Sequence, residues 1–308
     1  MTASSMLRNF PEPPAPPQFL YKYLVAERAD DVLKNGMVRF THLINTNDSF
    51  EVRATFKQFA GPRFEALLIE ETHSRLDDNF VNAAIRRTLS EVGIQQFPPD
   101  LLRQIAEQQL GQSLTDALKQ KLASLVPMAV QSINSHRTPE DWLNELGSEL
   151  LCFSLSERAD SSPMWAHYAG GHTGFVIRFR SQHDWFARKD GSSKSRLQKV
   201  SYIDGQLGEP LEDVQAAFIS KKRDWENERE WRLNCGIKDI EKTIPAADDP
   251  IHLIAFPADA VDAIIVGEKS SQDTVGKIKQ ISEHKYPHAG LFRAFANRKT
   301  HTFDLVPI

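Results

Sequence analysis

The stretch ELLCFSLSERADSSPMWAHYAGGHTGFVIRF, Glu149–Phe179, decides the fold class. ELLCFSLS is β-prone and reads as a strand, and RADSSP breaks it with turn-forming residues. PMWAHYAGG then reads as a short helix entered at a proline and left at a Gly-Gly turn, after which HTGFVIRF is strongly β-prone again. Upstream, residues 55–146 have a different character. Apolar residues recur there at helical spacing, with Pro and Gly between the segments and no strand pattern. Further upstream, FLYKYL reads as a strand, ERADDVLKNG as a helix stopped by Gly36, MVRFTHL as a second strand and INTNDSFE as a polar turn. Downstream come a QKVSYID strand, a LEDVQAAFISKK helix leading into WENEREWRLNCG, two strands in IHLIAFPADAVDAIIVG, a helix in SSQDTVGKIKQISEHKY and two final strands. Strands therefore cluster towards both ends and helices in the middle, without the regular βα alternation of a doubly wound sheet, so the class is α+β.

This pattern predicts an extended Pro-rich leader over residues 1–18, an α+β core over 19–54 and 147–308, and an all-helical insertion over 55–146. FPEPPAPPQ in the leader cannot be helical, because proline lacks the amide hydrogen and clashes with the preceding turn. A chain of 308 residues is long enough for one large core carrying an insertion. The net charge of −4 argues against an all-over basic surface for nucleic acid. Cys152 and Cys235 are too few for a disulfide framework or a Cys-rich zinc site, which points to a reducing compartment. The opening residues do not read as a secretory signal, and no apolar run approaches a bilayer span, so the expected location is the cytoplasm, with no membrane partner.

Three segments concentrate the unusual chemistry. Read as a strand, WENEREWRL puts Glu226, Glu228, Glu230 and Arg232 on one face and Trp225, Asn227, Arg229 and Trp231 on the other. Such a row of acids is either an exposed surface strand or an active-site rim, where crowded carboxylates raise one another's pKa and divide roles. Trp165 and Tyr168 lie three apart on the short helix, a spacing that serves a core as well as a ligand platform. Lys22 lies between Tyr21 and Tyr23, so a strand sends the cation to one face and both rings to the other. There it is a snorkelling surface lysine or a ligand contact. His167 and His172 lack the HExxH arrangement, and Asp48 with Glu51 does not match a calcium loop, so no metal is expected.

In this order, LYKYL, NTNDSFE, LLCFSLS, PMWAHYAGGHTGFVIRF, KVSYID and KKRDWENEREWRL resemble the family catalogued as domain of unknown function 2971. That name implies no activity. A second likeness does: a basic residue on an early strand, an aromatic-Ser-x-Ser strand and Glu-x-Glu resemble the Arg/Ser/Glu pattern of ADP-ribosyltransferases. Lys22 stands where those enzymes have Arg, Phe153-Ser154-Leu155-Ser156 matches the serine strand, and Glu228 and Glu230 match Glu-x-Glu. The likeness implies a split, mixed or antiparallel sheet core with NAD as substrate. Glu230 would hold the ribose hydroxyl and Glu228 would orient or deprotonate the acceptor, while Ser154 would brace the strand and the acid, with Ser156 beside it in the cofactor-binding set. Lys22 with Tyr21 would meet phosphate or ribose, and Tyr168 would stack on nicotinamide. The acceptor would be a macromolecule, protein or nucleic acid, or else water, and the setting a bacterial toxin or anti-phage defence. Two other classes compete. One is a metal-dependent nuclease or phosphodiesterase using Asp48, Glu51 and the acid row; the other is a non-enzymatic sensor or adaptor presenting the helices of 55–146.

Overall fold

The structure, a computed structural model, describes residues 14–45, 56–94, 98–147, 149–187, 196–209, 216–246, 249–300 and 302–308. Most of the expected Pro-rich leader, Asp48, Glu51 and the first part of the expected LEDVQAAFISKK helix lie outside the described residues.

The chain begins with β1 (Phe19–Leu24) and β2 (Met37–His42). Five helices follow: α1 (Pro62–Arg75), α2 (Asp78–Glu91), α3 (Pro99–Leu110), α4 (Leu114–His136) and α5 (Pro139–Gly147). Next come β3 (Leu150–Ser156), α6 (Ser162–Tyr168), β4 (Phe175–Arg180), β5 (Leu197–Lys199), β6 (Ser201–Ile203), α7 (Ala216–Ile219), β7 (Ser220–Lys222) and β8 (Glu230–Gly236). The last elements are β9 (Lys242–Ile244), β10 (Ile251–Ala255), β11 (Val261–Val266), α8 (Gln272–Lys285), β12 (Gly290–Asn297) and β13 (Thr302–Pro307). The class is α+β. The segment after β1 is not one α-helix but a 3-10 turn, Ala26–Arg28, followed by a π-helical turn, Ala29–Lys34, with Gly36 in the left-handed region at φ 69°. Within LEDVQAAFISKK the described helix is only Ala216–Ile219, and Ser220–Lys222 pairs with β6 as a strand.

Two compact units emerge. One takes in residues 1–55, 143–206 and 215–308. Its large sheet runs β13-β12-β11-β4-β1-β3-β2-β10-β9, with β8 added to β3 and β5 to β8. Pairing is mostly antiparallel, with β11 and β12 parallel in this sheet and β6 and β7 parallel in a second, two-stranded one. Leu20, Phe40, Phe153, Phe179 and Trp231 belong to the main apolar cluster, while Tyr23, Trp165, Val176 and Ile265 form another. Alternation along the strands explains the division: Leu20 and Tyr23 on β1 differ in parity, as do Ile177 and Val176 on β4.

β3 is the pivot. One side pairs with β8 from Leu150 to Ser156. The other side is shared: β2 pairs at Thr41↔Cys152 and His42↔Leu151, whereas β1 pairs at Tyr21↔Ser156. β1 then continues against β4, and β2 against β10. The sheet therefore forks, and Ser154 faces the gap between the prongs.

The second unit, residues 56–142 with 207–214, contains α1 to α4. Ala60, Val126 and Val130 form a small buried cluster there, with Phe59, Phe64 and Leu68 packed on it. Glu209 is almost completely buried and caps the start of α1: its carboxylate accepts from the backbone N–H groups of Gly61, of Arg63 at 2.9 Å and of Phe64 at 3.3 Å. Among the described residues no helix is long and apolar enough to cross a membrane.

Candidate active site at the fork of the sheet

A cleft of about 240 Å³ opens at the fork. β1 contributes Tyr21 and Lys22, β3 contributes Ser154 and Ser156, α6 contributes Tyr168, and the end of the sequence's acid run contributes Glu228 and Glu230. Of the residues singled out by the Arg/Ser/Glu likeness, Tyr21, Lys22, Ser154, Ser156, Tyr168, Glu228 and Glu230 line this one cavity, while Phe153 points into the main apolar cluster.

The acid run is not one strand. Arg223–Glu228 is a 3-10 helix, Arg229 is left-handed at φ 44°, ψ 56°, and the strand starts only at Glu230. At three residues per turn, side chains two apart point about 240° round the axis from one another. Glu226 consequently leaves the face expected for it and is exposed beside Arg223, 3.4 Å away. Trp231 does fall on the opposite face of β8 from Glu230, inside the main cluster. A left-handed backbone at Arg229 then brings Glu228 and Glu230 to the same cavity, each only 4% exposed.

Two buried cations answer the two acids. Lys221 Nζ lies 2.7 Å from Glu228 Oε2 and 3.2 Å from Glu230 Oε2. Arg232, fully buried, donates from Nε to Glu230 Oε1 at 2.9 Å, from Nη2 to Oε2 at 3.1 Å and from Nη1 to the Phe218 carbonyl at 2.7 Å. The Tyr168 hydroxyl donates to Glu228 Oε1 at 2.6 Å, and the Glu230 backbone N–H donates to the Tyr202 hydroxyl at 2.7 Å. Burial raises the Glu230 carboxyl above the usual carboxylate range, against the pull of Lys221 and of a hydrogen bond from Ser154. For Lys221 burial acts downward, but Glu230 and Glu228 outweigh it and raise the ammonium's pKa.

Lys22 is not a snorkelling surface lysine. Its Nζ donates to the Ser154 carbonyl at 2.9 Å and sits 4.9 Å over the Phe153 ring. Burial lowers its pKa, with Cys152, Glu230 and Glu228 acting in the opposite sense. Tyr21 and Tyr23 take the other face, as strand alternation predicts, and pack with the second cluster. Ser154 lies between the two ends of the site: its carbonyl accepts from Lys22, and its hydroxyl lies 3.2 Å from Cys152 Sγ on the wall that the cleft shares with Glu230. Burial pushes the Cys152 thiol up to about 12, which leaves it an inert wall. The Ser156 hydroxyl is spent on the backbone, donating to the Glu228 carbonyl at 2.6 Å and accepting from Arg158 N at 3.1 Å, and so pins the turn that carries the acids.

Sequence reasoning missed Lys221 and Tyr202. Both lie inside segments quoted above, KKRDWENEREWRL and KVSYID, but a Lys-Lys pair reads as solvated surface until β7 is seen to pair with β6. Thr41 and Arg39, alternate residues of β2, also line the cleft. Among the described residues no group of three or more His, Cys, Asp or Glu side chains is arranged to hold a metal ion. The acid face on which the nuclease reading relied does not form, because Glu226 is turned away and Glu228 and Glu230 contact buried cations.

Residues 164–233 match the family described as "Protein of unknown function (DUF2971)", the family read from the sequence motifs. The matched segment holds Tyr168, Lys221, Glu228, Glu230 and Arg232 and leaves out Lys22 and Ser154. No curated protein and no solved structure matches the chain.

Proposed function

We propose that this chain, in which residues 164–233 match a family described without an activity, is an ADP-ribosyltransferase-like enzyme that cleaves NAD and transfers ADP-ribose to a macromolecule or to water. The observation that carries the reading is the convergence of Lys22, Ser154 and Glu230, distant in sequence, on one cleft at the fork of the sheet. In this reading Glu230 sits beside the ribose as its bond to nicotinamide breaks. The bonding electron pair leaves with nicotinamide, and the carboxylate stabilises the positive charge that develops on the sugar. Glu228 orients the acceptor and takes its proton as the new bond to the ribose forms. Lys22 meets phosphate or ribose as a point charge, without the two-pronged grip of an arginine. A cleft of about 240 Å³ is smaller than the roughly 300–1,000 Å³ usual for a drug-sized ligand, so it receives the ribose end while the remaining dinucleotide lies along the surface.

Tyr168 supports this scheme differently from the stacking role expected of it, since its hydroxyl holds Glu228 in place. A cytoplasmic toxin or defence enzyme is the biological setting that goes with the proposal. The test is incubation of the full chain with NAD, with and without a chelator, and measurement of free nicotinamide. Release that persists in chelator supports the reading, and no release under either condition overturns it.

One observation favours a second reading, a sensor or adaptor. In the helical unit Phe80 on α2, Leu101 and Ile105 on α3, and Leu118 and Leu122 on α4 are exposed. Exposed apolar side chains mark a partner surface where they join into a contiguous patch. Under that reading Glu230→Gln leaves cellular activity intact.

A further inference from the structure

Glu228 and Glu230 present four carboxylate oxygens, and each has a donor: Tyr168 and Lys221 on Glu228, Arg232 and Lys221 on Glu230. The donors differ in their freedom to leave. Arg232 is wholly buried and tied by its third nitrogen to the Phe218 carbonyl. Tyr168 is neutral and touches one acid. Lys221 alone bridges both acids, carries a full charge on a flexible stem, and lines the cleft. While that ammonium touches both carboxylates, its charge opposes the positive charge that must develop on a sugar beside Glu230.

We propose that Lys221 is a lock on the acid pair, opened by the phosphate of an anionic substrate that draws its ammonium off Glu228 and Glu230. The lock deepens the reading given above, since it takes the fork cleft as the substrate site and assigns the ligand class as phosphate-bearing. Lys22 lines the same cleft as a second cation for the anion. Anion entry and acid release then become one event: the substrate that needs the carboxylates removes the charge that masks them. Without an anion the pair stays neutralised, which limits the protonation and solvent exposure of two buried acids.

Trp225 provides the reporter, because Lys221 Nζ lies 4.9 Å over its ring and a nearby ammonium affects indole emission. The full chain is titrated with pyrophosphate and, separately, with ADP-ribose, following the difference in emission between the wild type and Trp225→Phe, with calorimetry on the same samples. A saturable Trp225 signal that tracks calorimetric binding is the expected result. Lys221→Met should lose the signal and weaken pyrophosphate binding about tenfold or more, as loss of a charge-assisted bond implies. Lys221→Arg, which keeps the charge, should bind with a smaller Trp225 response. Binding with a silent Trp225, or no binding of either anion, overturns the lock. Should Lys221→Met not fold, the wild-type difference signal decides. Nicotinamide release is measured independently. A Trp225 response without NAD cleavage leaves the lock standing and removes the NAD reading, whereas cleavage with a silent Trp225 does the reverse.

Discussion

Lys22 Nζ donates to the carbonyl of Ser154 across 2.9 Å, joining residues 132 positions apart at the point where β1 and β2 diverge from β3. A lysine side chain thus serves a carbonyl at a place where neither diverging strand supplies a Cα partner. The cleft follows from that divergence, and the acids on β8 and in the turn before it form its other wall.

Glu230→Gln keeps the shape of the side chain but removes its charge, so an NAD-cleaving enzyme should lose about 100-fold or more in kcat with a smaller change in KM. Steady-state nicotinamide release, with circular dichroism to confirm folding, checks this. Unchanged turnover would remove Glu230 from the chemistry.

Arg232→Leu should be strongly destabilising. It leaves Glu230 buried with Lys221 as its remaining cation, and breaking a buried ion pair costs about 3–5 kcal/mol. For a domain of this size that corresponds to a fall in Tm on the order of 10 °C. Thermal unfolding of the variant beside the wild type is the measurement.

Lys22→Met should act in opposite directions on stability and on function. Burial lowers the lysine's folded pKa, so between that value and its ordinary 10.5 the unfolded chain binds more protons than the folded one. The wild type's contribution from Lys22 is therefore a penalty, present below the folded pKa and relieved as pH rises towards 10.5. The methionine variant should lose this part of the pH dependence and resist urea better at neutral pH, while binding pyrophosphate more weakly. Parallel urea titrations at neutral and alkaline pH test the sign.

Arg229 occupies the left-handed region with an exposed side chain. Arg229→Gly should be neutral or stabilising by up to about 1 kcal/mol, and Arg229→Val destabilising by about 1–2 kcal/mol, because a β-branched residue tolerates that backbone poorly. Equal effects of the two substitutions in chemical denaturation would contradict the turn geometry that delivers Glu228 and Glu230 together.

Much of this organisation is legible in sequence because it rests on local periodicity. Alternation in FLYKYL separates Lys22 from its flanking tyrosines, and the β-prone runs around PMWAHYAGG place a short helix between two strands of one sheet. Period-two reasoning across WENEREWRL failed at Glu226 for an equally local reason: the chain takes a 3-10 turn there and reverses at a left-handed arginine, a conformation that propensity does not assign to that residue. Lys221 was missed because nothing near it in sequence distinguishes a buried lysine from a solvated one.

By itself the amino-acid order determined the α+β class and the family segment around Tyr168 to Arg232, since strand and helix periods and uncommon motif residues act over a few positions. Only the tertiary structure decided that β3 shares one edge between β1 and β2, that Lys221 and Arg232 neutralise Glu228 and Glu230, and that Lys22 reaches Ser154. The strand pairings and the Lys22 contact join segments far apart in the chain, while Lys221 and Arg232 meet the acids across the turn between β7 and β8; all of them hold because charges removed from water must find partners wherever the packed sheet brings them.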